Sequence, residues 1–256
     1  MKRSPAILVM LGAFGLVISV AAQTPAAKAT AATSQAGDIP RMPDGHPNLN
    51  GIWDHPYVPD VTKDGRNQKG SGPLPFTDSG AENFKNYDVS KFDYTGHCLP
   101  FGLMRSVNVG GYPIQIVQYG KYIALLFEQN TWFHVVAMDR DHPKDLERTW
   151  FGDSVGKWDG DTLVIDTIGQ NAKTVVDPYR TPHTEKLHVV ERWKMVDDGQ
   201  AMEVTFTADD PEAFNEPWSG TRRYRRVQQP MLEEVCAENN QHLFDYHIPV
   251  ANKPDF

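Results

Sequence analysis

Pro182-His183-Thr184-Glu185-Lys186-Leu187-His188-Val189-Val190-Glu191-Arg192-Trp193 is the segment around which the rest of this chain is organised. It holds two histidines, two glutamates, an arginine and a tryptophan, and from Leu187 onward it alternates like a β-strand. Successive side chains of a strand point to opposite faces. Leu187, Val189, Trp193 and Met195 therefore share a face with Glu191, while His188, Val190, Arg192 and Lys194 share the other. A carboxylate inside an apolar stripe must be paired or must keep its proton, because an isolated buried charge is very costly. Glu191 then has two readings: partner of an arginine in a structural ion-pair network, or an acid or base tuned at a pocket wall.

The same alternation extends outward in both directions. Residues 187–196 run through Asp197-Asp198-Gly199-Gln200 into 202–208, which predicts a hairpin. Upstream, residues 114–118, 122–128 and 132–138 are β-branched and aromatic runs separated by Tyr119-Gly120-Lys121 and Gln129-Asn130. Residues 150–158 lead through Asp159-Gly160 into 162–168, and Asp-Gly between such runs is a strong hairpin signal. Residues 220–227 and 231–236 are expected to supply the last two strands, with a short strand at Ile52-Trp53 near the start. Residues 78–87 are the only helix expected before residue 200. About nine short strands with hairpin connections predict an all-β chain: an antiparallel, lipocalin-like (calycin-like) barrel, or a sandwich. Residues 122–127 are apolar on both faces, so segments packed outside the barrel are expected, either the N-terminal loops or the tail after Asn239.

Residues 1–22 read as a secretory signal peptide: Lys2 and Arg3, an apolar run from Ala6, and the small-residue end Val20-Ala21-Ala22. The run is short for a membrane span, and no cysteine follows it to carry a lipid. Residues 23–40 are Ala/Thr-rich and read as a flexible lead-in, leaving 41–256 as a single domain. The expected location is periplasmic or secreted. Cleavage removes Lys2 and Arg3 and takes the formal net charge from −8 to −10, which argues against nucleic acid or an anionic membrane as partner. In an oxidising compartment Cys98 and Cys236 read first as a disulfide, with two buried thiols or a nucleophilic cysteine as alternatives.

Asn48-Leu49-Asn50-Gly51-Ile52-Trp53, Cys98-Leu99-Pro100, Gly156-Lys157-Trp158-Asp159-Gly160-Asp161-Thr162-Leu163-Val164, Pro182-His183-Thr184, Leu187 to Arg192 and Val235-Cys236-Ala237-Glu238-Asn239-Asn240 together resemble a large set of exported bacterial proteins of unassigned activity. The resemblance covers most of the chain after Arg41. It implies a β-rich, lipocalin-like barrel and no particular activity. The chain departs from it near 132–138, where a more polar, arginine-bearing segment is expected, so no ligand contact carries over to that strand.

Thr221-Arg222-Arg223-Tyr224-Arg225-Arg226 places Arg222 and Arg226 on one face of a strand and Arg223 and Arg225 on the other. The inward pair needs a carboxylate, Glu191 or Glu203, or an anionic ligand. Arg105, Arg192, Arg222, Arg226, Trp132 and Trp193 are the candidate substrate contacts. His183, Glu185 and His188 invite a metal reading, completed by His134, His97 or His242, but their spacing is not that of a metal motif. No metal and no other cofactor is therefore expected. Nucleophile elbows, Walker loops and dinucleotide fingerprints are missing from the sequence. The expectation is a periplasmic small-molecule enzyme of lyase, isomerase or decarboxylase type, with Glu191, His183 and His188 exchanging protons on an anionic aromatic or apolar substrate. The alternative is a carrier that binds such a ligand without converting it.

Overall fold

The structure, a computed structural model, describes residues 39–88 and 98–236. The expected signal peptide, most of the lead-in, His97, His242 and the tail after Asn239 lie outside the described residues. In chain order the elements are β1 (Gly51–Asp54), β2 (Gln68–Lys69), α1 (Asp78–Lys85), α2 (Gly102–Asn108), β3 (Ile114–Tyr119), β4 (Tyr122–Phe127), β5 (Phe133–Met138), β6 (Asp153–Asp159), β7 (Thr162–Ile168), β8 (His188–Val196), β9 (Ala201–Asp209) and β10 (Trp218–Val227). β1 pairs with β3 on one side and β10 on the other, and this closes β1 and β3–β10 into a nine-stranded barrel. The strand periodicity carries the architecture. Val189, Glu191, Trp193 and Met195 of β8 are buried, as are Val204 and Phe206 of β9 and Arg222 and Tyr224 of β10.

Three expectations need correction. β5 and β6 pair in parallel, Val136 opposite Ser154 and Met138 opposite Gly156. Parallel neighbours cannot be joined by a tight turn, and residues 139–152 make the crossover. Residues 231–235 carry no strand, and β1 closes the ring instead. The third correction decides the site. α2, which carries no signal in the sequence, packs inside the barrel: Leu103, Met104 and Val107 are buried, and its last turn hydrogen-bonds inward-facing side chains of β8 and β10. The inward faces of β8 and β10 thus meet the last turn of α2. Gly102 opens α2 at φ +78, and a Cβ there would lie 2.6 Å from Thr174 Oγ1, so only glycine fits.

α1 forms where expected, capped by Thr77, whose side chain accepts from the Gly80 N–H. Cys98 and Cys236 are bonded, with Cα atoms 5.6 Å apart and a sequence separation of 138. The disulfide fastens the segment before α2 to the chain beyond β10. Glu128 Oε2 accepts from the Leu232 N–H at 2.8 Å nearby. Changing both cysteines to serine should lower stability by about 2–4 kcal/mol, since the closed loop is long. The check is the urea midpoint at unchanged slope, and an unmoved midpoint would show the bond to be incidental. Val117, Tyr122, Phe133 and Val135 remain exposed on the outer face of β3–β5. The segment expected to cover them from the tail lies outside the described residues. No helix among the described residues is long and apolar enough to cross a membrane.

Candidate functional site

The last turn of α2 brings the polar interior together. Asn108 is fully buried; its Nδ2 donates to Glu191 Oε1 at 3.3 Å, and its carbonyl accepts from Arg222 Nε at 2.7 Å. One residue earlier, the Val107 carbonyl accepts from the Tyr224 hydroxyl and from His55 Nε2. The carbonyls at a helix C-terminus have no partner within the helix and carry partial negative charge. Arg222, Tyr224 and His55 satisfy them here. His55 Nδ1 accepts from the Gly111 N–H at 2.7 Å, which leaves the ring proton on Nε2 and the imidazole neutral.

The electrostatics of the cluster follow from burial. Desolvation pushes the Glu191 carboxyl up from 4.5 to about 7, while the Asn108 amide and the Trp193 indole pull weakly the other way. Desolvation pushes His55 down to about 4, opposed by its bond to Val107 and helped by the nearby Arg222 charge. It lowers Arg222 to about 10 and raises the Tyr224 hydroxyl well above its ordinary value. Four polar atoms of this set have no hydrogen-bond partner among the described residues: Glu191 Oε2, Asn108 Oδ1, Arg222 Nη2 and Trp193 Nε1. Glu191 and Arg222 are both bonded to Asn108, the first through its side chain and the second through its carbonyl. Groups left unpaired at such depth are uncommon and mark places where a fold serves something besides stability.

No family model matches the chain, and no curated protein matches it. Function has to be argued from the site itself.

The other candidates from the sequence divide among four places. Trp193 lies in the core, stacked on Tyr224 with ring centroids 5.8 Å apart, beside Glu191. His188 and Arg192 are on the outside of the barrel: His188 Nε2 meets Asp166 Oδ1 at 3.0 Å, and Arg192 pairs with Asp159 at 2.6 Å. The alternation that buries Glu191 places His188 and Arg192 on the opposite face of β8 from it. His183 is buried elsewhere, beside Thr174, and does not join Glu191. Arg105 lines a cleft of about 180 Å³ with Tyr57, Phe101, Val109, Gly110, Gly111 and Tyr112, its guanidinium 4.3 Å from the Phe101 ring centroid. Trp132 packs edge-on against Phe101. This cleft abuts the end of α2, one residue beyond Asn108.

The arginine run keeps its parity, but its inward partners are not carboxylates. Arg226 donates to the carbonyls of Gly199, Asn50 and Asn48 and lies over the Trp53 ring. Arg222 Nη1 donates to the carbonyls of Lys69 and Thr221. Glu203 pairs with outward Arg223 at 2.9 Å. Arg223→Gln and Arg225→Gln should change stability by at most about 1 kcal/mol, while Arg222→Gln should cost several-fold more by stripping the α2 carbonyls of a charged donor. Equal melting shifts at the three positions would contradict this division. His134, offered as a metal ligand, is buried against Ser154 Oγ at 2.7 Å, and Glu185 pairs with Arg148. No group of three such residues is arranged to hold a metal among those described.

Sequence reasoning missed His55, Asn108 and Tyr224. Tyr224 was legible, since it shares the parity of Arg222. Asn108 and His55 depend on α2, whose short, glycine-started segment carries no helical signal of its own.

Proposed function

We propose that this is an exported small-molecule enzyme using cofactor-independent acid–base chemistry, with Glu191 as the proton-transfer group and Arg222 as the charge stabiliser. The observation that carries the reading is the Glu191 carboxyl, held at about 7 with one oxygen unpaired and linked through Asn108 to a guanidinium that also keeps a free donor. A carboxyl poised near neutrality exchanges protons in either direction at little cost. A buried guanidinium with an unused N–H stabilises negative charge developing on a substrate. Lyase, isomerase and decarboxylase reactions need only these two elements. The Arg105 cleft begins one residue beyond Asn108, and its three aromatic rings and one guanidinium suit an anionic aromatic or apolar substrate. The disulfide supports a compartment outside the cytoplasm.

The test is turnover of a panel of aromatic and short-chain organic acids across pH 5–9. The active substrate should show one inflection in kcat near pH 7, and Glu191→Gln should lower kcat by about 10²-fold or more with the fold intact. A profile unchanged in Glu191→Gln would remove the residue from the reaction. A second reading, a carrier, is favoured by the Arg105 cleft, because none of the cluster's acid–base groups lines it. Saturable binding of the same panel without turnover decides for the carrier.

A further inference from the structure

A second, separate cleft of about 360 Å³ is lined by Asn83, Asn86 and Tyr87 at the end of α1 and by Ala172, Thr174, Val175, Pro182, His183 and Thr184. Within it His183 Nδ1 lies 3.0 Å from the Thr184 carbonyl, and Nε2 lies 2.8 Å from Thr174 Oγ1. A carbonyl only accepts, so the ring proton sits on Nδ1. Nε2 is then the acceptor, and the Thr174 hydroxyl donates to it. The imidazole is buried and burial holds it below its ordinary value, which keeps it neutral in this tautomer. Hydroxyl, base and a third group orienting the base form the arrangement that activates an alcohol for attack. Gly102 at the start of α2 lies close to the same hydroxyl: a Cβ there would sit 2.6 Å from Thr174 Oγ1, so glycine leaves the space that the hydroxyl occupies.

We propose that this cleft is a hydrolytic site for small neutral carboxylic esters, with Thr174 as nucleophile and His183 as general base. The cleft's lining carries no charged side chain. Tyr87, Ala172, Val175 and Pro182 offer the ester an apolar wall, and the exposed Asn83 and Asn86 carboxamides offer N–H donors for an oxyanion. Thr174 Oγ1 bonds to the carbonyl carbon as its proton passes to His183 Nε2. The tetrahedral adduct then expels the alcohol, which leaves with that proton as the C–O bond breaks. Water, deprotonated by the same nitrogen, attacks the acyl-threonine, releasing the carboxylic acid and restoring the hydroxyl. The site shares no residue with the Glu191 cluster, so it stands or falls independently of the function proposed above. No sequence motif announces it, because Thr174 and His183 meet through loops rather than through a strand–turn–helix elbow.

The experiment uses the intact chain with p-nitrophenyl acetate as substrate and an alkyl fluorophosphonate as covalent probe. The wild type should carry one phosphonyl adduct, mapped by mass spectrometry to the peptide containing Thr174. Ester hydrolysis should fall about 10²-fold or more in Thr174→Val and in His183→Gln, while Thr174→Ser retains both labelling and turnover. The rate should fall only at a pH below that at which an exposed imidazole gains its proton, because burial holds His183 below its ordinary value. An adduct on another residue, no adduct at all, or hydrolysis equal in wild type and folded Thr174→Val would overturn the proposal. Adduct mapping needs only the wild type, so it decides the matter even if a variant fails to fold.

Discussion

Glu191→Gln should melt at a higher temperature than the wild type at pH 8 and at nearly the same temperature at pH 4.5. The carboxyl titrates near 4.5 in an unfolded chain and at about 7 in the barrel, where burial disfavours its charge. Below pH 4.5 it is protonated in both states and costs nothing. Between 4.5 and 7 folding must take up a proton, so stability falls as pH rises, and above 7 the whole cost of about 3 kcal/mol is present. Glutamine keeps the size and the bond to Asn108 without that cost. Thermal midpoints of the two chains at pH 4.5 and pH 8 check it. A lower midpoint for the variant at pH 8 would show Glu191 to be the ionised partner of Arg222 and return it to a structural role. A variant that is more stable and about 10²-fold less active is the trade expected where a strained group serves function.

The inward carboxylate is legible in the sequence because a period of two is the simplest pattern a chain can carry. The faces assigned to residues 187–195 are the faces they take, and so are those of the arginine run, with Arg222 buried and Arg225 exposed. Turn chemistry serves equally well: Asp159-Gly160 and Asp197 to Gln200 lie where the hairpins turn. Each of these signals is local, decided within a few residues.

What the sequence withholds is non-local. The parallel β5–β6 pairing depends on how residues 139–152 cross the barrel wall, and no dipeptide in that stretch specifies it. α2 is seven residues long, shorter than an isolated helix can sustain in water. Its stability comes from burying Leu103, Met104 and Val107 inside the ring and from three side chains on its terminal carbonyls. Without α2, an inward arginine is assigned a carboxylate partner. With it, the arginine goes to a helix terminus and leaves the carboxylate unpaired. The helix therefore changes the character of the candidate site, although both of its charged residues are identifiable from strand parity alone.

Those buried groups also give the protein a pH dependence of stability with two opposed limbs. His55 and His134 each fall from 6.5 to about 4 on folding, chiefly by desolvation. Their contribution is fully present above pH 6.5 and is lost as pH falls through 4. It amounts to about 3 kcal/mol each, together a large part of the roughly 5–15 kcal/mol that holds a domain folded. His183 adds to the same limb, and Asp177, raised by burial, subtracts from it. Between pH 4.5 and 6.5 the unfolded chain binds two more protons at His55 and His134 and one fewer at Glu191, while His183 and Asp177 act in opposite directions. Stability should then rise with pH by a net of one proton, about 1.4 kcal/mol per unit. Below 4.5 Glu191 drops out and the slope should double. Urea titrations from pH 4 to 8 read these slopes directly, whatever each substitution does to the baseline. In Glu191→Gln the doubled slope should extend up to 6.5. In His134→Gln, which removes a ring bonded to Ser154 and stacked on Phe151 at 5.5 Å, the wild-type slope should flatten toward zero over 4.5–6.5. A His134→Gln slope equal to the wild type would mean that this imidazole is already protonated in the folded barrel and donates to Ser154 Oγ.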